Sequence, residues 1–184
     1  KQKGVGMVQV AVPDFFILCA FVGNELAKKN IRTAAQKRGV DPSRIIFAEF
    51  LKMEDHLARY ALADIFLDTF NFNGHTTTAD ALWAGTPLIT KLGKSFAARV
   101  AGSLLTASGL SELITNTEKE YETLIIQLAN DPLELQRIKE KLKKNLISNS
   151  LFDTEKYTFN LEQAYYKAYE NYTKGNKPKN ITIK

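Results

Sequence analysis

Short apolar runs alternate with amphipathic stretches along the first two thirds of the chain. The apolar runs are rich in β-branched and aromatic residues and predict buried strands at residues 15–21, 44–50, 64–68 and 87–90. Apolar positions at helical spacing predict helices between and after them, at residues 24–38, 54–62, 77–84 and 96–108. This alternation predicts an α/β fold, a Rossmann-like parallel sheet with helices on both faces.

After Leu113 the pattern predicts helices only, at residues 117–129, 132–147 and 153–172. The last of these stretches is rich in aromatic residues: Tyr157, Phe159, Tyr165, Tyr166, Tyr169 and Tyr172. We expect these rings to pack the helix against the sheet domain. A platform on which bases stack is the weaker alternative.

Composition narrows the class of protein. With 45% apolar and 24% charged residues and a net charge of +5, the chain has the composition of a soluble globular protein. It lacks the concentrated basic stripe with interleaved aromatics that nucleic-acid binding requires, so we expect no nucleic-acid partner. The apolar stretch at residues 5–22 is too short and too interrupted by polar residues to span a bilayer, so we expect no membrane partner.

The segment at residues 71–90 carries the most specific chemistry. Gly74 stands between a predicted strand and a helix that opens on His75, Thr76 and Thr77. The first N–H groups of a helix lack internal partners and attract phosphate. Asp80, one turn later, is placed to accept from a ribose hydroxyl. The alternative is an ordinary helix cap formed by Thr76 or Thr77.

A second candidate segment, residues 51–59, also follows a predicted strand end. In parallel sheets, ligands bind beyond the carboxyl ends of the strands. We therefore expect residues 51–59 and 71–80 to lie on the same rim of the sheet.

These segments are part of a longer series of motifs, in order and at close spacing. It includes Ala63-Asp64-Ile65-Phe66-Leu67-Asp68-Thr69, Asn73-Gly74-His75-Thr76-Thr77, Leu82-Trp83-Ala84-Gly85-Thr86-Pro87, Arg99-Val100-Ala101 and Gly175-Asn176-Lys177-Pro178. From about Asp14 to Pro178 the chain resembles the O-GlcNAc transferase family. The resemblance implies the C-terminal lobe of a GT-B glycosyltransferase, the half of the active-site cleft that holds UDP-GlcNAc.

The family resemblance also implies an inverting, metal-independent enzyme that transfers GlcNAc to Ser or Thr of intracellular proteins, in the cytoplasm, the nucleus or both. We accordingly expect no cofactor and no metal, with UDP-GlcNAc as donor substrate. Protein acceptors would be bound through an N-terminal lobe and helical repeats that this chain does not match, and the catalytic base is expected outside it. We therefore expect the chain alone to be inactive.

Binding residues are carried over from the family one position at a time. His56 and Arg59 match residues that hold the uridine. His75, Thr76 and Thr77 match the segment that holds the diphosphate and adjoining sugar, and Asp80 matches the ribose contact. A short loop that lines the uracil and ribose corresponds to Leu51, Lys52 and Met53, where Met53 stands at the family's lysine position and Lys52 one place before it.

The expected organisation has four parts. Residues 1–13 are an unmatched N-terminal segment, residues 14–116 the nucleotide-sugar-binding lobe, residues 117–174 C-terminal helices on that lobe, and residues 175–184 a polar tail. Two other functions stay open at this point. One is a non-catalytic nucleotide-binding or protein-interaction module, and the other is a related N-glycosyltransferase that uses UDP-glucose.

Overall fold

A six-stranded sheet forms the centre of the protein. The computed structural model describes residues 8–11, 16–20 and 24–183. The strands are β1 (Val8–Ala11), β2 (Phe16–Ala20), β3 (Ile45–Ala48), β4 (Ile65–Leu67), β5 (Leu88–Lys91) and β6 (Ile114–Thr115). Their order across the sheet is β3-β2-β1-β4-β5-β6.

Five of the six strands point the same way, so their carboxyl ends lie along one rim of the sheet. β2 pairs in parallel with β3, and β4, β5 and β6 pair in parallel with one another. β1 is antiparallel to both β2 and β4, so β2 and β4 point the same way. Strands β2 to β6 therefore all end at one edge, and the predicted parallel sheet with helices on both faces is confirmed.

β1 was not predicted. It lies in the unmatched segment at residues 1–13, of which only residues 8–11 are described, and occupies the middle of the sheet in the opposite direction. Four residues are too few for an alternating apolar–polar pattern to identify a strand. β1 is recognised only by its pairing with β2 and β4. The predicted strand at residues 15–21 is seen as β2, and its two end residues lie outside the described part.

Seven helices are described. They are α1 (Glu25–Gln36), α2 (Met53–Tyr60), α3 (Thr76–Trp83), α4 (Val100–Ala107), α5 (Glu118–Asn130), α6 (Pro132–Ser148) and α7 (Thr154–Thr173). Their ends follow local chemistry. Asn24 Oδ1 caps α1 by accepting from two backbone N–H groups, and Thr117 forms a capping box with Glu120 at the start of α5. The helix predicted at residues 96–108 is divided into a 3-10 turn, Phe96–Ala98, and α4.

The core lies under the β4–β5 half of the sheet. Phe66 and Ile89 from the strands pack with Leu82 of α3, Leu105 of α4 and Ile138 of α6, all at most 1% exposed. Helix α1, by contrast, contains no buried residue. The strands and helices next to α3 thus contribute to a well-packed core, which favours a rigid site at the start of this helix.

Two expectations for the C-terminal part are wrong. The chain is not purely helical after Leu113, because Ile114 and Thr115 form β6 by pairing with Thr90 and Lys91 of β5. Two residues carry no periodicity, so such a strand is visible only through its partner.

The aromatic residues of α7 do not pack against the sheet domain. Tyr157, Phe159, Tyr165, Tyr166, Tyr169 and Tyr172 are 58–79% exposed, and α7 contains no buried residue. The partly covered positions of α7 are mostly polar, such as Asn160, Gln163 and Asn171. At helical spacing these positions lie on a different face of α7 from the aromatic residues. The expectation therefore placed the wrong face of the helix against the sheet domain.

No helix among the described residues is long and apolar enough to cross a membrane. Part of the apolar stretch at residues 5–22 lies outside those residues.

Candidate functional site

The candidate site lies where β3, β4 and β5 end. The chain leaves β3 into residues 49–52, β4 into residues 68–75, and β5 into residues 92–99. Because these strands point the same way, the three loops meet at one rim. The two segments predicted to share a rim, 51–59 and 71–80, both start there.

A buried carboxylate organises the loop between β4 and α3. Asp68 is 4% exposed, and its Oδ1 accepts from the N–H groups of Thr69 (2.9 Å) and Gly74 (2.7 Å). Its Oδ2 accepts from the Thr90 hydroxyl of β5 at 2.6 Å, and its backbone carbonyl accepts from the Tyr121 hydroxyl at 2.9 Å. Burial raises the pKa of Asp68, and the hydrogen bonds from Thr90, Gly74 and Thr69 oppose that shift.

Gly74 allows the loop to approach α3 closely. A Cβ atom at this position would lie 2.5 Å from Thr78 Oγ1 and 2.8 Å from Thr77 Oγ1. Only glycine fits there without moving a threonine side chain. The Asp68 carboxylate therefore holds the chain directly above the first turn of the helix.

Helix α3 begins without a side-chain cap. His75 is the N-cap residue and forms no capping hydrogen bond, so the alternative of an ordinary cap by Thr76 or Thr77 is wrong. The first N–H groups of α3 thus have no intrahelical acceptor, and the helix dipole adds partial positive charge at the same point. The side chains of Thr76 and Thr77 stand in this first turn, Thr76 exposed and Thr77 partly buried. This arrangement suits an anion.

On α2, His56 and Arg59 form a coupled pair. Arg59 Nη2 lies 2.6 Å from His56 Nδ1, and Arg59 Nη1 donates to the Glu49 carbonyl at 2.9 Å. A guanidinium only donates, so His56 Nδ1 accepts and its proton is on Nε2. Burial and then the Arg59 charge lower the pKa of His56, while Asp80 acts in the opposite direction. These surroundings therefore favour the neutral form of the His56 imidazole.

Tyr60 joins α2 to the start of α3. Its hydroxyl donates to the Thr77 carbonyl at 3.2 Å, and its backbone carbonyl accepts from the Thr86 hydroxyl at 2.8 Å. Burial raises the pKa of Tyr60, and the nearby Asp80 carboxylate raises it further. Asp80 thus stands close to both Tyr60 and His56, one turn after the bare helix start.

The remaining predicted residues form the exposed approach to α2. Lys52 is the N-cap residue of α2 and makes no capping hydrogen bond through its side chain. Leu51 is 38% exposed and Met53 60% exposed. The structure brings His56, Arg59, Asp80 and the α3 start together and places this loop, residues 51–53, at their edge.

Sequence reasoning missed Asp68 and Tyr60 as part of the site, although Tyr60 directly follows the predicted residue Arg59. A polar residue at the carboxyl end of a buried strand was a signal for Asp68. It also missed the loop after β5, where the Ala97 carbonyl accepts from the Asn73 N–H at 2.8 Å and lies 3.4 Å from His75 Nε2.

Within the described part of the chain, no group of three or more His, Cys, Asp or Glu side chains is placed to hold a metal ion. Two fully buried polar atoms, Asn73 Oδ1 and Thr78 Oγ1, have no hydrogen-bond partner among the described residues. Both lie beside Gly74, where Thr78 Oγ1 could donate a hydrogen bond and Asn73 Oδ1 could only accept one.

Comparison with known proteins identifies the family of this chain. Residues 11–161 match the sequence model of glycosyl transferase family 41. The chain belongs to this family. It is 40% identical over 153 residues to a probable UDP-N-acetylglucosamine–peptide N-acetylglucosaminyltransferase, SEC, of Arabidopsis thaliana, covering 83% of this chain and 16% of that protein. It is 38% identical over 148 residues to the UDP-N-acetylglucosamine–peptide N-acetylglucosaminyltransferase of Caenorhabditis elegans, covering 80% and 13% respectively.

A solved structure agrees with the fold. A mutant of the Thermobaculum terrenum O-GlcNAc transferase superposes with a TM-score of 0.72 at 35% identity, over 77% of this family 41 chain and 27% of that chain. The family 41 chain thus spans about a sixth of the curated relatives that it matches. The resemblance to O-GlcNAc transferases is confirmed.

Proposed function

We propose that this chain is the UDP-GlcNAc-binding half of a protein O-GlcNAc transferase. The observation that carries the proposal is the uncapped start of α3, held open by Asp68 and Gly74 in a chain of glycosyl transferase family 41. The helix N–H groups and the hydroxyls of Thr76 and Thr77 bind the diphosphate. His56 and Arg59 bind the uridine, Asp80 accepts from the ribose, and residues 51–53 line the uracil.

The same geometry supports a role in the leaving-group step. When the sugar leaves, negative charge grows on the diphosphate, and preorganised N–H donors stabilise that charge without having to reorient. His75 stands at the sugar end of the helix start and contributes its imidazole there. In this scheme the helix start performs the charge stabilisation, so neither a metal nor another cofactor is required.

The complete enzyme transfers GlcNAc from UDP-GlcNAc to Ser or Thr hydroxyls of proteins. Its acceptors are bound by an N-terminal lobe and helical repeats, and its catalytic base lies outside this chain. We place this activity in the cytoplasm, the nucleus or both. The names of the relatives, of which this chain covers only a part, support the UDP-GlcNAc donor and the peptide acceptor. The other statements are carried over from the family resemblance.

Titration calorimetry with UDP, UMP and uridine tests the nucleotide site. UDP should bind most tightly and uridine most weakly, because each phosphate adds contacts to the α3 start. Thr77→Val should weaken UDP binding and leave uridine binding unchanged. The matched control is Thr158→Val on α7, which removes a hydroxyl that donates to the Thr154 carbonyl.

Two results would contradict the proposal. One is the absence of UDP binding in a sample that melts cooperatively. The other is an equal affinity for UDP and uridine, since the phosphates would then make no contact with the helix start.

A further inference from the structure

Three aromatic rings gather at the start of α3. The ring of His75 stacks on that of Phe72, with centroids 4.9 Å apart and planes 12° apart. Phe96 meets His75 edge-on, at 6.0 Å and 87°. Phe72 is 65% exposed and Phe96 81% exposed. Two large apolar rings are thus presented to solvent beside His75, the N-cap residue of the uncapped helix start.

Hydrogen-bonded loops set the positions of both rings. Asn71 has a φ of +67°, a left-handed conformation that turns the chain just before Phe72. The Thr69 hydroxyl donates to the Phe72 carbonyl at 2.6 Å. On the other side, the Gly93 N–H donates to the Ala98 carbonyl at 2.8 Å and closes the loop that carries Phe96. The backbone that carries both rings is therefore held in place, which lowers the entropy lost by these loops when a ligand binds.

The order of elements along the rim matches the order of groups in a nucleotide sugar. Tyr60 connects the α3 start to α2 on one side, where His56 lies, and the Ala97 carbonyl connects it to the loop after β5 on the other. A ligand with its nucleoside at α2 and its phosphates at the α3 start presents its next group to Phe72 and Phe96. That group is a sugar ring, whose C–H face is apolar and packs on aromatic rings while its hydroxyls face water.

We propose that Phe72 and Phe96, which both contact the His75 ring, form a stacking wall for the hexose ring of the nucleotide sugar. This inference rests on the proposed function and assigns two further residues to the same site. The wall adds affinity for the sugar portion of the ligand and none for the nucleoside diphosphate. Its two rings determine how well a given hexose is retained.

The test is calorimetric titration of the 184-residue chain with UDP and with UDP-GlcNAc. In Phe72→Leu and Phe96→Leu, UDP-GlcNAc affinity should fall about three- to tenfold, the range expected for loss of one aromatic contact, while UDP affinity stays within about twofold. Phe72→Tyr keeps the ring and should retain UDP-GlcNAc binding. The matched control is Phe159→Leu, an exposed phenylalanine of α7. Thermal melting of each variant verifies folding.

The outcomes separate the wall from the site on which it rests. A wild-type chain that does not bind UDP would overturn the proposed function and the wall with it. Normal UDP binding with unchanged UDP-GlcNAc affinity in both leucine variants would overturn the wall alone. Equal losses for UDP and UDP-GlcNAc would also overturn it, because the rings would then contact the nucleotide.

Discussion

The carboxylate of Asp68 offers the sharpest test of how the site is built. Asp68→Ala removes the acceptor for three donors at once, the N–H groups of Thr69 and Gly74 and the hydroxyl of Thr90. Asp68→Asn keeps the shape of the side chain. Its Oδ1 still accepts from the two N–H groups, and its Nδ2 donates to Thr90 Oγ1, which rotates to accept.

The expected change in the free energy of unfolding follows from the hydrogen-bond donors that each variant leaves without an acceptor. A buried donor without an acceptor costs about 1–3 kcal/mol. Three such losses do not add fully in Asp68→Ala. The variant also removes a carboxylate whose burial is unfavourable, the same burial that raises the pKa of Asp68. We expect Asp68→Ala to lower the free energy of unfolding by about 2–4 kcal/mol. Asp68→Asn should change it by less than about 1 kcal/mol.

The pH dependence supplies an independent check. A raised pKa means that the folded protein binds the Asp68 proton more tightly than the unfolded chain. The stabilising contribution of this group is therefore fully present below the unfolded pKa of about 3.8 and is lost as pH rises through the folded pKa. The amide that Asp68→Asn introduces does not titrate, so the stability of this variant relative to wild type should increase from acid to neutral pH.

Urea unfolding across this pH range measures both effects, and calorimetry measures UDP affinity at neutral pH. UDP binding should be retained in Asp68→Asn and weakened in Asp68→Ala. Two results would refute this role of the carboxylate. One is an Asp68→Ala variant no less stable than Asp68→Asn, and the other is a difference between Asp68→Asn and wild type that is independent of pH.

Three further predictions concern binding, packing and catalysis. His75→Ala should weaken UDP-GlcNAc binding and leave uridine binding unchanged, whereas His56→Ala should weaken both by about 1–3 kcal/mol in calorimetry; equal effects on uridine would show that the ends are misassigned. Gly74→Ala should lower the melting temperature and UDP affinity together, because its Cβ would lie 2.5 Å from Thr78 Oγ1, and an unchanged melt would contradict the packing. The purified chain should not glycosylate a Ser-containing peptide from radiolabelled UDP-GlcNAc, and turnover that disappears in His75→Ala would show a complete enzyme.

Much of the fold around the site follows from local pattern. The apolar runs that became β2 to β5 and the helices between them are long enough to show their period, and Gly74 with the following threonines marks the start of α3 directly. β1 and β6 do not follow in this way, since both are short strands that depend on their pairing partners.

The Asp68 network could not be predicted because its members are distant in sequence. Thr90 is 22 residues from Asp68, and Tyr121 is 53 residues away. The aromatic spacing of α7 indicated an apolar face and could not indicate whether this chain covers it. Likewise, the His56–Arg59 spacing placed both on one helix face, but their hydrogen bond and the lowered pKa of His56 depend on tertiary burial.

The central claim is that the start of α3 binds the diphosphate of a uridine nucleotide. Amide chemical shifts of the ¹⁵N-labelled chain, recorded while UDP and then uridine are added, test it most directly. We expect UDP to shift the amide signals of Gly74, Thr76, Thr77 and Thr78 and uridine to leave them in place. UDP binding that shifts amides elsewhere and leaves these four unchanged would contradict the claim.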